Sequence, residues 1–204
     1  MNQDGSDHPL FTHRVIPLAS VSDPSTVQAI GDGLVAGGLP VVEVALRGEW
    51  GMPALRELAE RGDLLVGAGT VLSIDQARAA IDAGAAFVVT PGLDLEVVRY
   101  VRDAGLPIVP GVLTPTEIQA ARTAGLTRVK LFPAGVFGGM ALIEAYAAVF
   151  RDMRFMPSGG IGPANLGIHL AHPSVFAVSG SWIVQAAAQG SDAVARLARE
   201  AVAV

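Results

Sequence analysis

The most constraining feature of this sequence is an Ala-Gly pair that recurs at the ends of amphipathic segments. It occurs as Ala36-Gly37, Ala83-Gly84, Ala104-Gly105 and Ala124-Gly125, and the last three glycines are 21 and 20 residues apart. A glycine there is typical of the left-handed residue that closes a helix, and the apolar residues after it are typical of a buried parallel strand. This spacing fits one short helix, one strand and two tight loops, so the sequence predicts a repeated strand–helix unit.

The repeat extends over most of the chain. Strands are predicted over 15–20, 41–47, 64–70, 87–92, 107–112, 128–133, 154–159 and 175–181, with helices between them, such as 94–104 and 116–123. Eight alternations without a composition break favour a single-domain α/β fold, a closed (β/α)₈ barrel, over an open doubly wound sheet, because closure leaves no exposed edge. We assign residues 13–204 to the barrel and expect residues 1–12 to form a disordered or loosely ordered tail. In either architecture, functional side chains are expected at the carboxyl ends of the strands.

Composition narrows the class of partner. Hydrophobic residues make up 51% of the chain and charged residues 16%, which favours burial between subunits as well as in the core, and hence a homo-oligomer. The net charge of −5 argues against nucleic acid as a partner. Apolar stretches are interrupted by glycine, proline or charge, and the first ten residues do not resemble a secretory signal, so we expect a cytoplasmic protein that does not enter membranes. The absence of cysteine excludes disulfides and thiolate metal sites.

Lys130 is the only lysine among 14 basic residues, and it lies inside an apolar strand. Strand alternation places it with Phe132 on the barrel interior and its apolar neighbours against the helices. Burial of an ammonium is costly and favours the neutral amine, which is a nucleophile, whereas arginine cannot form an imine. The alternative is a lysine that snorkels from the strand end to solvent. Its uniqueness in the chain favours a chemical role.

The second strand carries an acid and a base on one face. Glu43, Ala45 and Arg47 alternate with Val42, Val44 and Leu46. Glu43 and Arg47 could form a structural ion pair. The functional interpretation is that Glu43 moves protons for imine chemistry while Arg47 binds a substrate carboxylate through two hydrogen bonds.

Three strand ends are rich in small residues. The first, Gly67-Ala68-Gly69-Thr70-Val71-Leu72, resembles the start of a dinucleotide fingerprint but lacks its third glycine, so a carboxylate contact through Thr70 fits better. The other two follow the seventh and eighth strands, as Pro157-Ser158-Gly159-Gly160-Ile161-Gly162 and Ser179-Gly180-Ser181-Trp182. Glycines in these two loops allow backbone N–H groups to surround a phosphate. They predict a phosphorylated substrate.

The histidines argue against a metal-dependent mechanism. His8 and His13 lie in the predicted tail, and His169 and His172 lie in the seventh helical segment, away from predicted strand ends. A zinc site would need several convergent ligands at the strand ends. Trp182 and Phe132 are interpreted as core or pocket wall.

These motifs together resemble the bacterial 2-keto-3-deoxy-6-phosphogluconate (KDPG) and 4-hydroxy-2-oxoglutarate (KHG) aldolases over nearly the whole chain. The shared segments, in order, are 43–47, 67–72, 90–92, 110–111, 130–133, 157–160 and 180–182. The resemblance implies a (β/α)₈ barrel, usually trimeric, that needs no metal or other cofactor beyond a covalent lysine imine. Its residues would be Lys130 as the Schiff-base lysine, Glu43 as the general acid/base, Arg47 and Thr70 as carboxylate ligands, Pro91, Phe132 and Ser158 as pocket walls, and Gly159, Gly160, Gly180 and Ser181 as phosphate ligands.

The implied reaction is cleavage of KDPG to pyruvate and glyceraldehyde 3-phosphate in the Entner–Doudoroff pathway, with KHG as a second substrate. The chain departs from the family pattern at Ala45, Gly48 and Ser158, where threonine is common, and in the first strand, where Leu18-Ala19-Ser20 replaces a segment that often holds arginine. The galactonate epimer of KDPG or an unphosphorylated 4-hydroxy-2-oxo acid therefore remains an alternative substrate. A phosphate-binding barrel without catalysis and a phosphosugar isomerase are alternatives from other classes.

Overall fold

The computed structural model describes residues 7–204, in which parallel strands alternate with helices. The strands are β1 (Val15–Ala19), β2 (Val41–Ala45), β3 (Leu65–Gly69), β4 (Phe87–Val89), β5 (Ile108–Val109), β6 (Gly111–Val112), β7 (Arg128–Leu131), β8 (Arg154–Pro157) and β9 (Val178–Gly180). The helices are α1 (Val27–Ala36), α2 (Gly51–Glu60), α3 (Ile74–Asp82), α4 (Leu95–Asp103), α5 (Pro115–Thr123), α6 (Met140–Val149), α7 (Leu166–Leu170) and α8 (Ser191–Val202).

The strands close into a ring. One run of parallel pairs has the order β5-β4-β3-β2-β1-β9 and a second has the order β6-β7-β8. Only Pro110 separates β5 from β6, so these are two halves of one strand interrupted by a residue without a backbone N–H. At the other junction, parallel bridges join Phe155 to Val175 and Ser158 to Ser179. The predicted eight-stranded barrel is confirmed.

The barrel is held together by an apolar core between the strands and the surrounding helices. Every residue of β2 is buried, and the largest fully buried side chains include Phe87, Phe155, Ile16 and Leu131. Burying a side chain of this size stabilises the folded state by about 1.5–3 kcal/mol. The core therefore fixes the positions of the strand ends, where side chains can be held rigidly.

The Ala-Gly pairs close helices as predicted at three of four positions. Gly84, Gly105 and Gly125 have φ values of 95°, 81° and 77°. The prediction for Gly37 is wrong, since its φ is −82° and the left-handed residue is Gly38 with φ 73°. Gly37 is instead a packing position, because a Cβ there would lie only 2.5 Å from the Cβ of Ala198 on α8.

Part of the predicted tail, residues 1–12, is ordered and packed in the structure. Pro9–Thr12 forms a 3-10 helix, in which Leu10 is fully buried and donates its backbone N–H to Nδ1 of His8. A buried leucine anchors this segment to the core, which the polar composition of the first residues concealed. Residues 1–6 of the predicted tail lie outside the described residues. Among residues 7–204, no helix is long and apolar enough to cross a membrane.

Candidate active site

Lys130 and Glu43 meet inside the barrel. Lys130 extends from β7, and its Nζ donates a hydrogen bond of 3.1 Å to Oε1 of Glu43 on β2. The side chain of Lys130 is 7% exposed and that of Glu43 is 0% exposed. The alternative in which Lys130 extends to solvent is therefore wrong. The alternative of a Glu43–Arg47 ion pair is also wrong, because Glu43 is paired with Lys130 and Arg47 is hydrogen-bonded to Thr70. A buried amine and a buried carboxylate in contact are costly to desolvate, and they are available to act on a reactant that enters the barrel.

Two glycines of β3 make room for buried side chains, one of them Glu43. A Cβ at Gly69 would overlap the Glu43 carboxylate, and a Cβ at Gly67 would overlap the ring of Phe87. Because strands β2 and β3 are paired in register, Glu43 lies beside Gly67 and its side chain extends toward Gly69. The small residues that suggested a fragment of a nucleotide-binding loop are thus needed for side-chain packing within the barrel.

Sequence reasoning missed Ser179 on β9. This residue is fully buried, and its Oγ donates a hydrogen bond of 3.3 Å to Oε2 of Glu43. Each oxygen of the carboxylate therefore has a partner, with Lys130 on one and Ser179 on the other. The available signal was a hydroxyl in an otherwise apolar buried strand.

Arg47 and Thr70 lie together at the exposed ends of β2 and β3. The Nε of Arg47 donates a hydrogen bond of 3.2 Å to Oγ1 of Thr70. Thr70 has φ 58°, a left-handed conformation that is unfavourable for a β-branched residue. Strain of this kind persists where the surrounding structure imposes it, often at functional sites. The structure thus places an exposed guanidinium and a hydroxyl together at these strand ends.

Of the three predicted pocket walls, Phe132 contacts the lysine, and Pro91 and Ser158 lie at other strand ends. The Nζ of Lys130 lies 5.5 Å from the centroid of the Phe132 ring, a distance suited to a cation–π contact. Pro91 lies in a turn closed by Thr90, whose Oγ1 donates a 2.6 Å hydrogen bond to the carbonyl of Gly92. Ser158 is buried and forms a bridge with Ser179.

The two glycine-rich loops adjoin each other at the same end of the barrel. Gly159 and Gly160 have φ values of 86° and 82°, which glycine adopts without strain. A Cβ at Gly180 would lie 2.8 Å from the carbonyl oxygen of Ile161, so the loop after β8 packs directly on the end of β9. The structure thus brings the predicted phosphate-binding segments together, with Ser181 in the next turn.

The histidines lie away from the Lys130–Glu43 pair. His169 lies in α7 and donates Nδ1–H to the carbonyl of Asn165 at 2.8 Å, and His172 follows the helix. Burial lowers the pKa of His13. Across residues 7–204, no three or more His, Cys, Asp or Glu side chains are grouped so that they could hold a metal ion.

Fold and site together define a class of protein. A parallel (β/α)₈ barrel that holds a buried lysine–carboxylate pair at the carboxyl ends of its strands is equipped for imine chemistry on a carbonyl compound. A guanidinium and two glycine-rich turns at the same end provide positions for anionic groups.

Comparison with known proteins identifies the family. The family model for KDPG and KHG aldolases matches residues 7–199, and the chain belongs to this family. It is 42% identical over 193 residues to the 2-dehydro-3-deoxy-phosphogluconate aldolase of Pseudomonas aeruginosa, covering 93% of this chain and 88% of the relative. It is 39% identical over 197 residues to the KHG/KDPG aldolase of Escherichia coli K12, covering 95% and 92%. The protein is therefore an aldolase, a carbon–carbon lyase.

A solved structure is similar throughout. The KDPG aldolase of Legionella pneumophila, with pyruvate captured as a covalent carbinolamine intermediate, superposes with a TM-score of 0.87 at 32% identity and covers 92% of this chain and 93% of that one.

Proposed function

We propose that this chain cleaves KDPG to pyruvate and glyceraldehyde 3-phosphate through an imine on Lys130, and that it also cleaves KHG to pyruvate and glyoxylate. The observation that carries this proposal is the buried 3.1 Å contact between Lys130 Nζ and Glu43 Oε1. It is supported by the names of the relatives in Pseudomonas aeruginosa and Escherichia coli and by the covalent pyruvate adduct of the Legionella pneumophila enzyme.

The first stage joins substrate to enzyme. The neutral amine of Lys130 attacks the C2 ketone, and Glu43 transfers protons as the resulting carbinolamine loses water and becomes a protonated imine. Glu43 is suited to this work because its Oε1 lies within hydrogen-bond distance of the nitrogen that reacts. Arginine at position 130 would remain protonated and could not form this bond.

The second stage breaks the carbon–carbon bond. Glu43 takes the proton of the C4 hydroxyl, the C3–C4 bond cleaves, and its electron pair moves into the imine to give an enamine. Glyceraldehyde 3-phosphate leaves as the aldehyde. The enamine takes a proton at C3 from Glu43, and water hydrolyses the imine to release pyruvate and regenerate the amine of Lys130.

Substrate binding follows from the position of the charges. Arg47 and Thr70 bind the carboxylate, since the guanidinium and the hydroxyl already contact each other at the mouth of the barrel. Gly159, Gly160, Gly180 and Ser181 bind the phosphate, since their two loops are in direct contact. With both anionic ends held, C2 is positioned against the amine, and holding reactants in this way supplies a large part of the catalytic effect.

We also propose a homotrimer in the cytoplasm that serves the Entner–Doudoroff pathway and requires no metal. The proposal of subunit contacts is supported by large apolar side chains in the segments that follow β3 and β7. Leu72 is 61% exposed, and Val136 and Phe137, in a 3-10 helix, are 76% and 53% exposed. Exposed apolar side chains in this number are a feature of surfaces that are covered by another protein.

The test is release of pyruvate from KDPG, followed with a pyruvate-consuming reductase, together with trapping of the imine. Borohydride added with pyruvate should give a stable mass increase on the peptide that contains Lys130. The values of kcat/KM for KDPG, its galactonate epimer and KHG rank the substrates. Absence of both pyruvate release and the adduct would overturn the proposed function.

A further inference from the structure

We propose that Ser179 is a positioning residue for Glu43, holding the carboxylate so that its other oxygen stays beside the lysine nitrogen through the reaction. This inference rests on the proposed function, since it assigns a role in proton transfer at the same site. Ser179 itself does not contact the reacting atoms. It acts through Glu43.

The contact is buried on both sides. Ser179 and Glu43 are each 0% exposed, and the Ser179 Oγ donates to Glu43 Oε2 at 3.3 Å. Their strands, β9 and β2, flank β1 on either side, so backbone pairing fixes the distance between them. No water is required to complete this hydrogen bond, and the rigid strands leave the hydroxyl little freedom to move away.

The carboxylate accepts hydrogen bonds from two side chains. Among the residues that the structure describes, its hydrogen bonds come from Lys130 on Oε1 and from Ser179 on Oε2. The bond from Lys130 cannot be constant, because the nitrogen loses hydrogens when it becomes a carbinolamine and then an imine. The hydroxyl of Ser179 keeps its proton throughout. It is therefore the partner that can hold the carboxylate in one orientation at every stage.

Pyruvate alone provides a direct assay of this role. Once pyruvate has formed the imine on Lys130, Glu43 removes a proton from C3 to give the enamine, and return of a deuteron in D₂O labels the methyl group. The exchange rate, measured by proton NMR, reports proton transfer without cleavage of a sugar acid. The borohydride adduct reports imine formation separately.

In Ser179→Ala we expect the maximal exchange rate to fall roughly 10- to 100-fold, the range for loss of a hydrogen bond to a charged group. The half-saturating pyruvate concentration should stay unchanged and the adduct should still form.

Ser179→Cys keeps the size of the side chain with a weaker donor and should exchange at an intermediate rate. If Ser179→Ala does not fold, Ser179→Cys decides the question, and a wild-type rate in that variant would overturn the proposal.

The matched control is Ser174→Ala, a buried serine that precedes β9 at the opposite end of the barrel. It should exchange at the wild-type rate, and an equal loss there would overturn the proposal by showing that removal of a serine hydroxyl away from Glu43 suffices. A wild-type rate in Ser179→Ala, with the wild-type enzyme active, overturns the role of Ser179 alone. A wild-type enzyme that neither exchanges nor forms the adduct overturns the proposed function, and this inference with it.

Discussion

Gly69 lies against the Glu43 carboxylate so closely that any Cβ at position 69 would overlap it. The carboxylate is fully buried and hydrogen-bonded at both oxygens, so it has little room to move aside. Gly69→Ala should therefore displace Glu43 and reduce kcat for KDPG cleavage by at least about tenfold, since general acid–base catalysis contributes about 10²–10⁴.

The control for this substitution is Gly167→Ala. Gly167 lies in α7, where, among residues 7–204, the one atom within 4 Å of an added Cβ belongs to Val204, at 3.6 Å. It should keep wild-type kcat and gain a little stability, because alanine favours the helix over glycine. Equal kcat values for Gly69→Ala and Gly167→Ala would show that space beside Glu43 is not critical.

Lys130→Ala should abolish turnover and the borohydride adduct, and it should also destabilise the fold. It leaves the buried Glu43 carboxylate without the amine that donates to Oε1, a loss of about 3 kcal/mol in the free energy of unfolding. The double variant Lys130→Ala with Glu43→Gln removes that charge and should recover part of the stability while staying inactive. Urea unfolding of the wild type and the variants measures this. If the double variant is no more stable than Lys130→Ala, then the unpaired Glu43 carboxylate does not destabilise the fold, which contradicts this prediction.

Glu43→Gln alone should slow KDPG cleavage by roughly two to four powers of ten, the range for a lost general acid–base group. The amide keeps the shape of the side chain but cannot take a proton. Single-turnover rates separate carbon–carbon cleavage from substrate binding. Near-normal turnover in this variant would refute the assigned role.

Arg47→Lys should raise KM for KDPG by about tenfold or more with a smaller change in kcat. Lysine keeps the charge but loses the planar pair of donors that matches a carboxylate. Thr70→Ala, which removes the hydroxyl that accepts from Arg47 Nε, should act in the same direction. Steady-state kinetics with KDPG measure KM and kcat separately. A fall in kcat with little change in KM would instead indicate a general loss of activity and would contradict this prediction.

The start of α5 should make stability depend on pH. Burial raises the pKa of Glu117, but hydrogen bonds from the backbone N–H groups of Leu113 and Thr114 and from the Thr114 hydroxyl outweigh it, so the pKa lies below its ordinary value. The ionised carboxylate therefore contributes stability above its unfolded pKa of about 4.3, and the contribution is lost as the pH falls through the folded pKa.

The stability lost in Glu117→Gln should accordingly be largest near neutral pH and shrink in acid. Thr114→Ala removes the other half of the capping box and should cost about 1 kcal/mol. Urea unfolding at several pH values gives both quantities. A pH-independent difference between the wild type and Glu117→Gln would contradict this account.

Much of the fold was determined by local sequence patterns. The Ala-Gly pairs predicted the helix ends because a left-handed residue after a helix favours glycine, and Gly84, Gly105 and Gly125 adopt that conformation. The first pair failed because Gly37 is required for close approach to Ala198, a contact between α1 and α8 that no local pattern contains. The prediction of a loose tail was wrong at Leu10 for the same reason. Leu10 is buried in the core, and this burial depends on residues distant in sequence.

The sequence by itself determined that the chain repeats strand and helix and that Lys130 is its one lysine. Only the tertiary structure decided which charges meet. Lys130 and Glu43 are 87 residues apart, and Ser179 and Glu43 are 136 apart, yet closure of the barrel brings all three into hydrogen-bond contact. The physical reason is that periodicity specifies the direction of a side chain relative to its own strand, whereas the identity of its partner depends on the register of strands distant in the chain.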